Sequence, residues 1–193
     1  MTGNYKKEAV KFLVNKLGTR STNCFTADLE DLNDKSGRTN KQDVVFFDIL
    51  QKTAIELNPD VPVKNINDAL NQFTDKRYAM SLIAANRDVY NFIKNGISVE
   101  YENDKGKTEY TRIKLIDYHQ AYKNDFCAVT LLWIKGERYP RRPDIIIYIN
   151  GIPLVSSKWK KIRESIELPE TKHPWHKFLT HDTAQFSHFL YTL

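Results

Sequence analysis

Cysteine is scarce in this chain: Cys24 and Cys127 are the two thiols in 193 residues. Two thiols build neither a disulfide framework nor a four-ligand zinc site, so both are read as reduced. No apolar run approaches the roughly 18 residues that cross a bilayer, and the mean hydropathy is −0.54. The opening Met1-Thr-Gly-Asn-Tyr-Lys-Lys7 lacks the apolar stretch of a secretory signal. These absences lead to the expectation of a cytoplasmic protein with no membrane partner. A Gly-rich phosphate loop, a nucleophile elbow and a helicase signature are also missing, so ATP binding by this chain is not expected.

What is present fits a folded domain. Hydrophobic residues make up 41% and charged residues 27% of the chain, which excludes disorder throughout. Lysine and arginine (29) outnumber aspartate and glutamate (24), giving a net charge of +5. That balance is compatible with a nucleic-acid partner without requiring one.

The first 95 residues read as mainly helical. Ala9, Val10, Leu13, Val14 and Leu17 form one helical face closed by Gly18. Thr19 to Asn40 is polar and reads as loop. A second helix is expected over Lys41–Leu57, stopped by Asn58-Pro-Asp-Val-Pro62. A short helix follows near Lys64–Phe73, and another near Tyr78–Lys94. From residue 96 to 160 the period changes to that of a sheet. Ile97–Tyr101 and Tyr110–Ile116 alternate and read as a hairpin. Phe126–Ile134 reads as one apolar strand, Gly136–Pro140 as a turn, and Asp144–Ile149 as a buried strand. Asn150-Gly151 is a two-residue hairpin turn, and Ile152–Val155 begins the returning strand. Residues 161–193 show no clean period and read as an atypical tail. The fold class is α/β: a helical N-terminal half packed on a mixed β-sheet, with the C-terminal part incomplete or atypical.

The stretch that carries chemistry is Arg141-Arg-Pro-Asp-Ile-Ile-Ile-Tyr-Ile-Asn-Gly-Ile-Pro-Leu-Val155. A carboxylate opens a buried strand, and a second strand returns beside it. Metal-assisted hydrolysis of a phosphodiester needs carboxylates and a cation pre-placed on rigid elements, and paired strands supply that. Many metal-dependent nucleases match an Asp on one strand with Glu-x-Lys on the next, where alternation keeps the groups on one face.

On these residues the chain resembles the N-terminal nuclease region of the R (motor) subunit of type I restriction-modification enzymes, in the PD-(D/E)xK superfamily. Those regions read Arg-Pro-Asp, a hydrophobic strand, then Asn-Gly-Leu/Ile-Pro-Leu-Val-Val-x-Glu-Leu-Lys-Asn-Pro. This chain supplies Arg142-Pro-Asp144, Asn150-Gly-Ile-Pro-Leu-Val155 and, at the expected distance, Lys160. The similarity extends upstream through Asn124-Asp-Phe-Cys-Ala-Val129, Arg112-Ile-Lys-Leu-Ile-Asp117, Asn95-Gly-Ile-Ser-Val-Glu-Tyr101, Leu57-Asn-Pro-Asp60 and Ala85-Asn-Arg87. It implies a restriction-endonuclease-like core, a Mg²⁺ site, double-stranded DNA as substrate, and modification and specificity subunits as partners. In the family, cleavage follows ATP-dependent translocation, and ATP belongs to motor domains that this sequence does not contain. The resemblance implies that Asp144 holds the metal and is catalytic, and that Lys160 assists the attacking water.

One departure is central. The position that should be glutamate is Lys158, in Lys158-Trp-Lys160. Its ammonium repels a divalent ion where a ligand is required, so cleavage is expected to be impaired by orders of magnitude. Gln185 is followed by Phe189 and Tyr191, which breaks the family's Gln-x-x-x-Tyr spacing. A shift of reading frame near codon 156 would explain a match that stops abruptly; the alternative is a diverged domain that binds DNA or docks to another subunit without cutting. Arg141 and Arg142 read either as surface charge or as phosphate contacts. Glu8 reads as part of a solvated helix face, or as the extra acidic residue that many such nucleases carry on their first helix. The late histidines His173, His176, His181 and His188 have no cysteine partners and are not read as a zinc site. Phe126, Trp133 and Tyr148 read as core aromatics.

Overall fold

A computed structural model describes residues 2–157 apart from residues 25, 27–30, 32, 104–105 and 137–138. Helix α1 spans Thr2–Leu17 and ends where Gly18 takes φ +63°, a left-handed turn that glycine adopts without a Cβ penalty. The polar segment after it is not all loop. Arg20–Asn23 forms strand β1, which pairs in parallel with β4 (Phe126–Thr130). Short polar strands at a sheet edge carry no alternating apolar signal, which is why this one is silent in the sequence.

Helix α2 spans Phe47–Leu57, six residues shorter at its start than the pattern suggests. Lys41–Phe46 are held otherwise. The Lys41 ammonium is buried against Asp34 at 2.7 Å, the Val44 carbonyl accepts from the Tyr148 hydroxyl at 3.1 Å, and the Phe46 ring stacks on Tyr148 at 4.1 Å. Tertiary contacts here override helical periodicity. Helix α3 covers Val63–Thr74. Helix α4 covers Leu82–Asn95 and begins later than expected because Ser81 caps it, accepting from the Ala84 N–H at 3.3 Å.

Strands β2 (Ile97–Glu102) and β3 (Thr108–Ile113) form the expected antiparallel hairpin, and β2 packs beside α3. The main sheet is mixed, with strand order β1-β4-β7-β8, where β7 is Ile145–Ile149 and β8 is Ile152–Ser157. The apolar stretch from Phe126 breaks at Leu131, whose φ is +58°. Its remainder forms β5 (Ile134–Lys135), which pairs with β6 (Pro140–Arg141). The core lies between the sheet and α2–α4, with Leu50, Ile66, Leu70, Phe73, Val89 and Tyr148 fully enclosed.

Three asparagines staple separate segments together. Asn58 accepts from the Lys114 N–H at 2.9 Å and donates to the carbonyls of Ala54 (2.7 Å) and Lys114 (3.0 Å). Asn124 accepts from the Asp117 N–H at 2.8 Å and donates to the Asp117 carbonyl at 2.7 Å. Asn150, fully buried, accepts from the Asp125 N–H (2.7 Å) and donates to the Leu115 carbonyl (2.8 Å) and Asn124 Oδ1 (2.9 Å). Each satisfies backbone groups that burial would otherwise leave costly.

The Asn150-Gly151 turn has both residues at positive φ, 52° and 78°, the arrangement that tight hairpins select. A Cβ on Gly151 would lie 2.5 Å from the Phe46 carbonyl oxygen and 3.0 Å from the Leu50 nitrogen. Backbone, not a flexible side chain, stands in the way. Gly151→Ala is therefore expected to cost about 2–3 kcal/mol, seen as a lower thermal midpoint by circular dichroism.

Candidate functional site

Asp144 stands at the mouth of β7 and is 8% exposed as a residue. Both of its neighbours along the sheet hold its backbone. Its N–H donates to the Ser157 carbonyl on β8 at 2.9 Å, and its carbonyl accepts from the Leu131 N–H at 3.4 Å where the chain leaves β4. The register pairs Ile145 with Thr130 on one side and with Ser157 on the other. Asp144 thus sits where two strands converge, on backbone fixed from both sides. The β7–β8 register shifts at Ile147/Tyr148, so β8 carries an irregularity before it reaches Ser157.

Arg142 lies two residues before Asp144, with its guanidinium 4.7 Å from the centre of the Trp133 ring. Trp133 donates its indole N–H to the Thr26 carbonyl at 3.3 Å. Trp133 and Phe126 are half-buried, whereas Tyr148 is a full core residue. Trp133 therefore serves as a platform for Arg142 as well as packing, a role its sequence position does not announce. Arg141 is exposed on β6. Glu8 is exposed on α1, a helix that packs beside β1 and β4. Lys158, Lys160 and the late histidines lie outside the described residues.

Behind this platform is a buried charge cluster. Arg38 reaches Asp34 Oδ2 at 2.9 Å, and Lys41 reaches the same oxygen at 2.7 Å. All three side chains are at most 3% exposed. Arg38 also donates to the carbonyls of Asp43 (3.0 Å) and Trp133 (2.8 Å). Burial alone pushes the Asp34 carboxyl up, but hydrogen bonds from Lys41, Ser36 and Arg38 outweigh it and hold the pKa at about 2. The cluster thus pins the loop of residues 34–43 against the Trp133 backbone, and Trp133 in turn carries Arg142.

The two cysteines are free and buried. Burial pushes the Cys24 thiol up to about 12 and raises that of Cys127 as well. Neither has the thiolate character that nucleophilic or metal-binding cysteines need.

A divalent ion demands oxygen donors in number. Among the described residues, no three His, Cys, Asp or Glu side chains gather as an ion site. Asp144 is one carboxylate, and the sequence places Lys158 where its partner carboxylate is expected. Asp144 alone, among the described residues, is too few oxygen donors to hold a Mg²⁺ ion.

Comparison with known proteins places the chain in a family. The family model described as "Type I restriction enzyme R protein N terminus" matches residues 3–168. The chain is 32% identical over 136 residues to the type I restriction enzyme HindI endonuclease subunit of Haemophilus influenzae, a match covering 69% of this chain and 13% of that protein. It is also similar to two putative type I restriction enzyme endonuclease subunits of Methanocaldococcus jannaschii. MjaIXP is 34% identical over 76 residues (37% of this chain, 7% of that protein), and MjaVIIP 41% over 64 residues (33% and 6%). The chain thus corresponds to a small part of each relative's length. With the family match running through all four helices and the main sheet, the chain belongs to the family of type I restriction enzyme R protein N-terminal regions.

Proposed function

We propose that this chain is a nuclease-type domain of a type I restriction R subunit whose cleavage of double-stranded DNA is impaired by Lys158. The observation that carries the reading is the pairing of a buried Asp144, braced by β4 and β8, with a lysine at the second carboxylate position. Asp144 is the residue that would hold Mg²⁺, and Lys160 the one that would orient the attacking water. With one carboxylate in place of two, metal-assisted hydrolysis loses its main charge stabiliser. The family match continues to residue 168, past Lys158. That favours a substitution within the domain over a shifted reading frame. Association with modification and specificity subunits, and a cytoplasmic location where DNA is accessible, belong to the same reading; no helix among the described residues is long and apolar enough to cross a membrane.

A second reading is a DNA-binding or subunit-docking remnant. Lys158 itself favours it, because a lysine adds phosphate attraction as it removes a metal ligand. A plasmid-nicking assay in Mg²⁺ tests the first reading. The expected result is very weak or no nicking. Robust cleavage abolished by Asp144→Ala would overturn the impairment. Tight, salt-sensitive duplex binding that ignores Mg²⁺ would move the conclusion to the second reading.

A further inference from the structure

Among the described residues, helix α4 presents one face that nothing packs against. Ile83, Arg87, Tyr90 and Lys94 stand at i, i+4, i+7 and i+11, which share a side of a helix. All four are exposed, Ile83 at 72% and Tyr90 at 56%. The stripe runs about 16 Å along the axis. Its opposite side is the buried one, with Ala85 and Val89 in the core.

Three features give the face a chemical preference. First, the charge on the α4 stripe itself has one sign, and Asp117, the acid next to Tyr118, is engaged by the His119 and Gln120 N–H groups. The acidic residue of α4, Asp88, is turned away and paired with Arg77 at 2.7 Å, leaving Arg87 and Lys94 to set the potential. Second, two aromatic rings face solvent along it, one of them beside a cation. The Lys94 ammonium lies 5.6 Å from the centre of the Tyr90 ring. Tyr118, 61% exposed, is held next to α4 by donating its hydroxyl to the Ile93 carbonyl at 3.2 Å. Third, the other flank opens into a recess of about 200 Å³ lined by Asn91, Asn95, Ser98 and Arg112, a set rich in amide and guanidinium donors.

Exposed aromatic rings interleaved with cations and flanked by amide donors suit a strand whose bases are unpaired. Bases stack on the rings, the phosphates meet the cations, and the amides meet base edges. A closed duplex offers no free base faces to Tyr90 and Tyr118, and an acidic peptide brings no regular succession of flat rings to stack on them. We infer that the α4 face binds single-stranded nucleic acid, with Tyr90 and Tyr118 as stacking platforms and Arg87 and Lys94 as phosphate contacts. This inference rests on no part of the nuclease reading.

Fluorescence anisotropy of the full chain with labelled oligo(dT), and with a duplex of equal length, tests it. Oligo(dT) should bind more tightly than duplex. Tyr90→Ala should weaken oligo(dT) binding about tenfold while leaving the thermal midpoint unchanged. Arg87→Gln with Lys94→Gln should flatten the slope of log affinity against log salt by about 1.4. Asp144→Asn should change neither, which separates this face from the candidate cleavage site. Duplex binding as tight as oligo(dT) binding and indifferent to Tyr90→Ala would overturn the inference. So would the absence of oligo(dT) binding.

Discussion

Lys158→Glu is expected to turn a chain with little or no nicking activity into one that nicks supercoiled plasmid in Mg²⁺. The expected gain is at least about 100-fold, equal to about 2.7 kcal/mol of transition-state stabilisation. The substitution does two things at one position: it removes a charge that would repel the ion and restores the carboxylate that the family pattern carries there. The gain should vanish in Asp144→Asn, Lys158→Glu, because a single restored ligand cannot replace the braced one. Gel densitometry of nicked against supercoiled plasmid, with and without EDTA, reads the result. If Lys158→Glu stays inactive with its thermal midpoint unchanged, loss of the carboxylate is not what limits cleavage, and the non-catalytic reading takes over.

The second large effect concerns stability. Asp34→Asn is expected to destabilise the fold by about 3–5 kcal/mol in urea titrations. Among the described residues, Asp34 is the one anion paired with both buried cations. Removing its charge leaves both cations enclosed and unpaired. Lys41→Met should cost far less, because Arg38 and Asp34 remain as a matched pair. Asp34→Asn, Lys41→Met should recover part of the loss. The pH dependence has a defined sign. The carboxyl is held below its ordinary value of 3.8, at about 2. Its stabilisation is fully present above the ordinary value and is lost as pH falls toward 2. Mild acid near pH 5 should leave this contribution intact.

The sequence makes some of this architecture legible and hides the rest, for physical reasons. The Asn150-Gly151 turn and the β7–β8 hairpin were readable because positive φ demands those residue types. The Asp144 strand was readable because it is apolar and bounded by punctuation. Strand β1 was not, because Arg20–Asn23 is polar and its pairing with β4 spans about a hundred residues. The break at Leu131 was invisible for the opposite reason: leucine is not a residue that announces a left-handed turn. The Asp34–Arg38–Lys41 cluster sat in a segment that reads as plain loop, since charges spaced along a polar stretch look solvated until the fold encloses them. Of the candidate site, the order of Arg142, Asp144 and the returning strand was legible. The Trp133 platform beneath Arg142 depends on tertiary approach and was not.

Asn58, Asn124 and Asn150, three of the residues on which the family resemblance was read, serve here as backbone staples. For Asn150 this has a bearing on chemical ageing. An asparagine followed by glycine is the pair most prone to spontaneous deamidation, which needs the next backbone nitrogen free to attack the side-chain carbonyl. In the folded chain the Asn150 amide is enclosed and engaged at both ends, so the reaction is blocked. Once the chain unfolds, the block is gone. The product carboxylate would then face the Leu115 carbonyl and Asn124 Oδ1, acceptor against acceptor, wherever the staple tried to re-form. Time spent unfolded would therefore be recorded covalently, and molecules that aged in that state would return to the native fold at a disadvantage.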